Sequence, residues 1–105
     1  MSVDKLHSGG VKELTDILRR MLHAAEANDK EQVIQLSRGE FQALYDEVVT
    51  GRDQHRTPFD RMRNNCLYAV SPKMFPPEFR QEARTISLED ARMYYDMILQ
   101  EFSRE

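Results

Sequence analysis

The chain is predicted to be all-α, a small bundle of four to five helices built on an N-terminal antiparallel hairpin, with no sheet. Three observations carry this. Apolar residues recur at the three-then-four spacing of a helix face in each long segment, no segment alternates with the period of two that a strand needs, and helix-starting residues precede the periodic runs. Residues 1–10 read as a flexible tail, with Ser8-Gly9-Gly10 as a permissive lead-in rather than a phosphate loop, and residues 11–105 as one helical domain.

The first helix is predicted over residues 11–28. Val11, Leu14, Leu18, Met21 and Ala25 make one face, widened by Ile17 and Leu22, while Lys12, Glu13, Asp16, Arg19, Arg20, His23 and Glu26 make the other. A helix split this way leaves water on one side only by docking on another element. Asp16 and Arg20 stand four apart in the favoured acid-first order.

Asn28 and Asp29 interrupt the pattern, and Asp29 with Gln32 three later has the form of a capping box. A second helix is expected from there to Gly51, carrying Val33, Ile34, Phe41, Leu44, Tyr45 and Val48. Two helices joined so tightly fold back on each other. Gly39 falls inside the second one, either in a narrow stripe with Leu36 and Ala43 that lets another helix approach, or as a tolerated glycine on the wet face.

Thr57-Pro58, with Asp60 three beyond the threonine, predicts the start of a third helix with Phe59, Met62, Cys66, Ala69 and Val70 as its apolar face. Pro72, Pro76 and Pro77 stop it, so Met74 and Phe75 are expected in a stiff loop. A short helical piece over 77–84 follows, and Ser87 with Asp90 opens a last helix from Leu88 to Phe102. Its face of Leu88, Ala91, Tyr95, Ile98 and Phe102 is extended by Met93, Tyr94, Met97 and Leu99, leaving Glu89, Arg92, Asp96, Gln100 and Ser103 as a wet strip. A helix apolar on two sides sits centrally or at a subunit interface, which predicts a homodimer through this helix.

Composition narrows the function. Hydrophobic residues are 40% of 105 and charged residues 31%, a thin core for a chain of this size. No apolar run is long enough to span a membrane, and MSVDKLHSGG lacks the apolar region of a secretory signal, so a cytoplasmic location is expected. The net charge of −3 conceals an acidic, basic, acidic layout. Residues 52–84 hold 7 Lys and Arg against 4 Asp and Glu, and Arg52, Arg56, Arg61 and Arg63 gather with His55 near the third helix start. In an acidic chain with pI near 5.6 such a patch reads as a solvated helix start that bears arginines, or as internal pairing or an acidic protein surface, rather than as a nucleic-acid site.

No catalytic constellation stands at an informative spacing. His7, His23 and His55 form no i, i+4 pair, and Cys66, the one cysteine, permits neither an internal disulfide nor a thiolate cluster, so no metal or cofactor is expected. Cys66 shares a face with Phe59, Met62 and Val70 and reads as a small buried hydrophobe. Of 6 methionines, Met21, Met62 and Met93 suit the core, whereas Met74 and Met97 lie where the pattern does not demand burial.

The run VKELTDILRRMLHAAEANDKEQVIQLSRGEFQALYDEV, within residues 11–49, resembles the first helical hairpin of the FliT family of flagellar export chaperones. The likeness lies in the helix ending Ala-Ala-Glu-Ala, the short Asp-containing turn and the following helix with spaced Leu and Glu. It implies a small non-enzymatic bundle that masks a helix of a partner and, in that family, antagonises a transcription regulator. It assigns no functional residue.

The expected role is therefore a non-enzymatic regulator that occludes a surface of another protein, as a chaperone, antiactivator or inhibitor. Met74, Phe75, Tyr94 and Met97 are the expected anchors and Arg61 and Arg63 the charges that set register. Two alternatives stand beside it. One is a helical DNA-binding regulator using Arg61, Arg63, Asn64 and Asn65, and the other is a bundle enzyme with a site concealed in its core.

Overall fold

The computed structural model describes residues 8–49, 57–71, 73 and 75–102. Helix α1 (Ser8–Glu26) is followed by a rod made of α2 (Lys30–Leu36), a wide π turn (Ser37–Phe41) and α3 (Gln42–Val48), then by α4 (Pro58–Val70), a 3-10 turn (Pro77–Phe79) and α5 (Arg80–Phe102). Every described element is helical, as the spacing predicts. Helices α1 and α4 form the middle of the bundle, with α5 packed along one side of them and the α2–α3 rod along the other. No helix of the described residues is long and apolar enough to cross a membrane.

The predicted face of α1 is the floor of the core: Val11, Leu14, Ile17, Leu18, Met21, Leu22 and Ala25 are all buried. The helix begins at Ser8, so part of the stretch read as tail is helical. A Cβ on Gly10 would lie 2.2 Å from Val48 Cγ2, so this glycine is what lets the start of α1 close on the end of α3. The predicted pair forms, with Arg20 Nε 3.3 Å from Asp16 Oδ2, and Arg19 binds the same carboxylate.

The reversal after α1 keeps one half of the predicted capping box, the Asp29 side chain, while the Asp29 amide donates back to the Ala24 carbonyl at 2.8 Å. Asn28 takes a φ of 58°, the left-handed region that asparagine tolerates better than most residues, and the amide of Gln32 donates to Asp29 Oδ1 at 3.2 Å. The second rod departs from the regular helix expected. Leu36 and Phe41 are both buried although five residues of α-helix would turn them about 140° apart, and the π turn between them restores the common face. Phe41 then stacks on Tyr45, centroids 5.0 Å apart. The rod ends at Val48, with Val49 extended, and the expected stop at Gly51 lies outside the described residues.

Gly39 sits on the exposed side of the π turn, and a Cβ there would meet nothing within 4 Å, so the wet-face reading holds and among the described residues no helix approaches. Gly39→Ala is expected to stabilise the chain by about 0.5 to 1 kcal/mol, because alanine restricts the unfolded chain without a steric cost. A higher urea midpoint at unchanged slope would show this, and a lower midpoint would mean that the turn needs glycine.

Helix α4 starts as predicted, with Thr57 Oγ1 accepting from the Asp60 amide at 3.3 Å while the same oxygen lies 2.6 Å from the Tyr45 hydroxyl. Helix α5 is longer than predicted. It runs unbroken from Arg80, and Ser87 is not a cap but a buried residue inside it. Residues 80–88 contain no proline or glycine to halt the helix, so continuity prevails over a local capping pattern. Nor is α5 central, since it lies on the flank of the bundle with a long face in water.

Candidate functional site

That outer face of α5 is built by one uninterrupted helix. Its inner side sets Ala91 and Ile98 in the core, with Leu88, Tyr94 and Tyr95 packed against them. On the side toward α1, Arg92 reaches Glu26, 2.9 Å from Nε to Oε2. Phe79, Ile86 and Met93 project on the outside, seven residues apart and 52%, 49% and 46% exposed. A seven-residue step drifts only about 20° around a helix, so Ile86 and Met93 stand nearly in line about 10 Å apart on α5, and Phe79 lies seven residues before Ile86 in the 3-10 turn that leads into the helix. Glu82, Glu89 and Asp96 repeat at the same interval three positions on, all exposed. None of these carboxylates is ion-paired among the described residues. The face is thus an apolar line beside an acidic line. Toward its C-terminal end Met93 and Met97 floor a shallow depression rimmed by Glu89, Arg92, Asp96 and Gln100.

The expected anchors do not form one patch. Met97 is half-buried in this depression, and Tyr94 is half-buried against the core. Phe75 lies at the other end of α5, where its carbonyl accepts from Arg80 Nε at 3.1 Å, and the 17 residues between Arg80 and Met97 correspond to about 26 Å of helix. Met74 lies outside the described residues. Met93 is exposed rather than a core filler, whereas Met21 and Met62 are fully buried as expected.

Of the arginines, Arg61 is exposed on α4 and Arg63 turns inward. The Arg63 guanidinium binds the buried Asp60 carboxylate, donates from Nη1 to Gln42 Oε1 at 3.4 Å and lies 5.3 Å over the Phe41 ring. Asn64 donates to Asp60 Oδ2 at 3.4 Å, and Asn65 to the Arg61 carbonyl at 3.0 Å. The donors proposed for DNA contact on Arg63, Asn64 and Asn65 are therefore engaged within the fold. A second internal junction involves Arg84, a residue that apolar periodicity does not single out. Its Nη1 donates to the carbonyls of Ala25 (3.1 Å) and Ala69 (3.0 Å), and its Nη2 to that of Glu26 (3.2 Å).

Cys66 is buried among the apolar residues of α4, and burial, with Glu26 adding its negative charge, pushes its thiol up to about 12. Burial likewise pushes the Tyr45 hydroxyl up to about 12. Both groups lose their protons more readily in the unfolded chain, so the unfolded state binds fewer protons than the native state from about pH 9 upward. These two groups are expected to lower stability above about pH 9, each contributing at most about 1.4 kcal/mol per pH unit. Urea midpoints across pH 7 to 11 test this, and Cys66→Ala should make the onset later by removing the first of the two groups.

Among the described residues no group of three His, Cys, Asp or Glu side chains is placed to hold a metal ion. His23 is exposed on α1, and His7 and His55 lie outside the described residues. Compared with known proteins, the chain matches no protein-family profile, no curated protein and no solved structure.

Proposed function

We propose that the chain is a non-enzymatic protein-binding module that masks a surface of another protein with the outer face of α5. The observation that carries this is the line of Phe79, Ile86 and Met93, large apolar side chains about half in water on the flank of a bundle whose core is already closed beneath them. An isolated exposed apolar side chain is ordinary, but a row that runs from the opening turn along one helix is the form in which helices present anchors to a partner. Met93 and Met97 add flexible, polarisable surface that adapts to the side chains laid on it. The FliT-like run at residues 11–49 agrees with this reading, since it implies a bundle that works by occlusion.

The test compares the wild-type chain with Ile86→Glu/Met93→Glu as bait in the native host. Both positions are about half in water, so the variant should keep its helical circular dichroism, with a small fall in melting temperature from the new like-charge neighbours Glu82, Glu89 and Asp96. A protein retained by the wild type and lost with the variant supports the module. Identical sets of captured proteins would remove α5 from the binding role.

A further inference from the structure

The acidic line beside the anchors identifies what kind of surface they fit. Resting on the reading of α5 as a docking face, we infer that its occupant is a basic amphipathic helix of a partner protein, with apolar residues at seven-residue spacing flanked by Lys or Arg. Two features of the face select it. Ile86 and Met93, seven apart on α5 with Phe79 in the turn that opens it, match a helix lying nearly parallel to α5, because helices crossing at about 20° bring side chains into register every seven residues. An extended strand, whose side chains return to one face every two residues, has no such match.

The charge of the face decides the flanks. Glu82, Glu89 and Asp96 run the length of the apolar line, and Glu101 lies exposed near its end. The basic residue in the middle, Arg92, is turned to Glu26 and partly neutralised there. A partner helix with Lys or Arg beside its apolar stripe meets this row with opposite charge, whereas a second copy of α5 brings its own acids against it, a juxtaposition that disfavours association. The arrangement thus selects a basic helix and disfavours self-pairing through the same face.

Fluorescence anisotropy with three labelled synthetic helices tests this. The peptides share one stripe of leucines at heptad spacing and carry Lys, Gln or Glu at the flanking positions. The Lys peptide should bind about tenfold more tightly than the Gln peptide, the gain that two or three exposed charge pairs supply, and should weaken as salt is raised. The Glu peptide should bind least. Glu89→Lys/Asp96→Lys should reverse the order of the Lys and Glu peptides, and Met93→Glu should weaken the Lys peptide at least tenfold with helicity preserved.

Equal binding of the Lys and Gln peptides, both lost in Met93→Glu, would overturn the basic partner while leaving α5 as a docking face. Absence of peptide binding together with sedimentation of a dimer that Met93→Glu disperses would assign the face to a second copy and likewise overturn the inference. Neither peptide binding nor self-association would remove both the inference and the docking reading.

Discussion

Arg84→Ala is expected to lower the stability of the chain by about 3 kcal/mol, a fall in melting temperature of roughly 15 °C for a domain of this size. The last carbonyls of a helix have no partner within it and carry the negative end of its dipole. In this bundle the C-terminal ends of α1 and α4 come together, and the Arg84 guanidinium bonds Ala25, Glu26 and Ala69 at once. Hydrogen bonds from a charged donor contribute about 1.5 to 3 kcal/mol each, but the three share one side chain and water reaches the Glu26 end, so the sum is well below three times that figure. Arg84→Lys keeps the charge and loses the planar fork, so it should recover less than half of the loss. Urea denaturation of both variants is the check. A change below about 0.5 kcal/mol for Arg84→Ala would mean that solvent replaces all three bonds.

This junction is not legible from apolar periodicity, for a physical reason. Apolar periodicity was visible wherever a residue type decides burial by itself, as on α1, where every residue of the predicted face is buried. Arg84 stands four before Leu88 and seven before Ala91, in the phase of the inner face of α5, and an arginine in that phase is the signal that was there to be used. Ser87 and Asp90 concealed it by suggesting a new helix start, which also broke the seven-residue repeat of Phe79, Ile86 and Met93 into two segments. Capping patterns are local, and a helix without a breaker runs through them when tertiary packing holds both sides. The π turn at Ser37–Phe41 was hidden for a different reason, since only the packing of Leu36 and Phe41 into one core requires it.

Removal of the other internal arginine is expected to be as damaging. Arg63→Met should destabilise the chain by about 3 kcal/mol, because it leaves the carboxylate of Asp60, whose side chain is 5% exposed, without its cation in the interior. Methionine retains much of the apolar stem that covers Phe41, so the loss reports mainly on charge rather than on a cavity. The amide of Asn64, 3.4 Å from the other carboxylate oxygen, is a weak substitute. What distinguishes an uncompensated charge from lost packing is the double variant. Asp60→Asn/Arg63→Met removes both charges and should recover about 1 to 3 kcal/mol relative to the sum of the single changes. Strict additivity in this cycle would show that Asp60 gains little from Arg63, and the guanidinium would then stabilise α4 only through the Phe41 ring and Gln42 of the neighbouring rod.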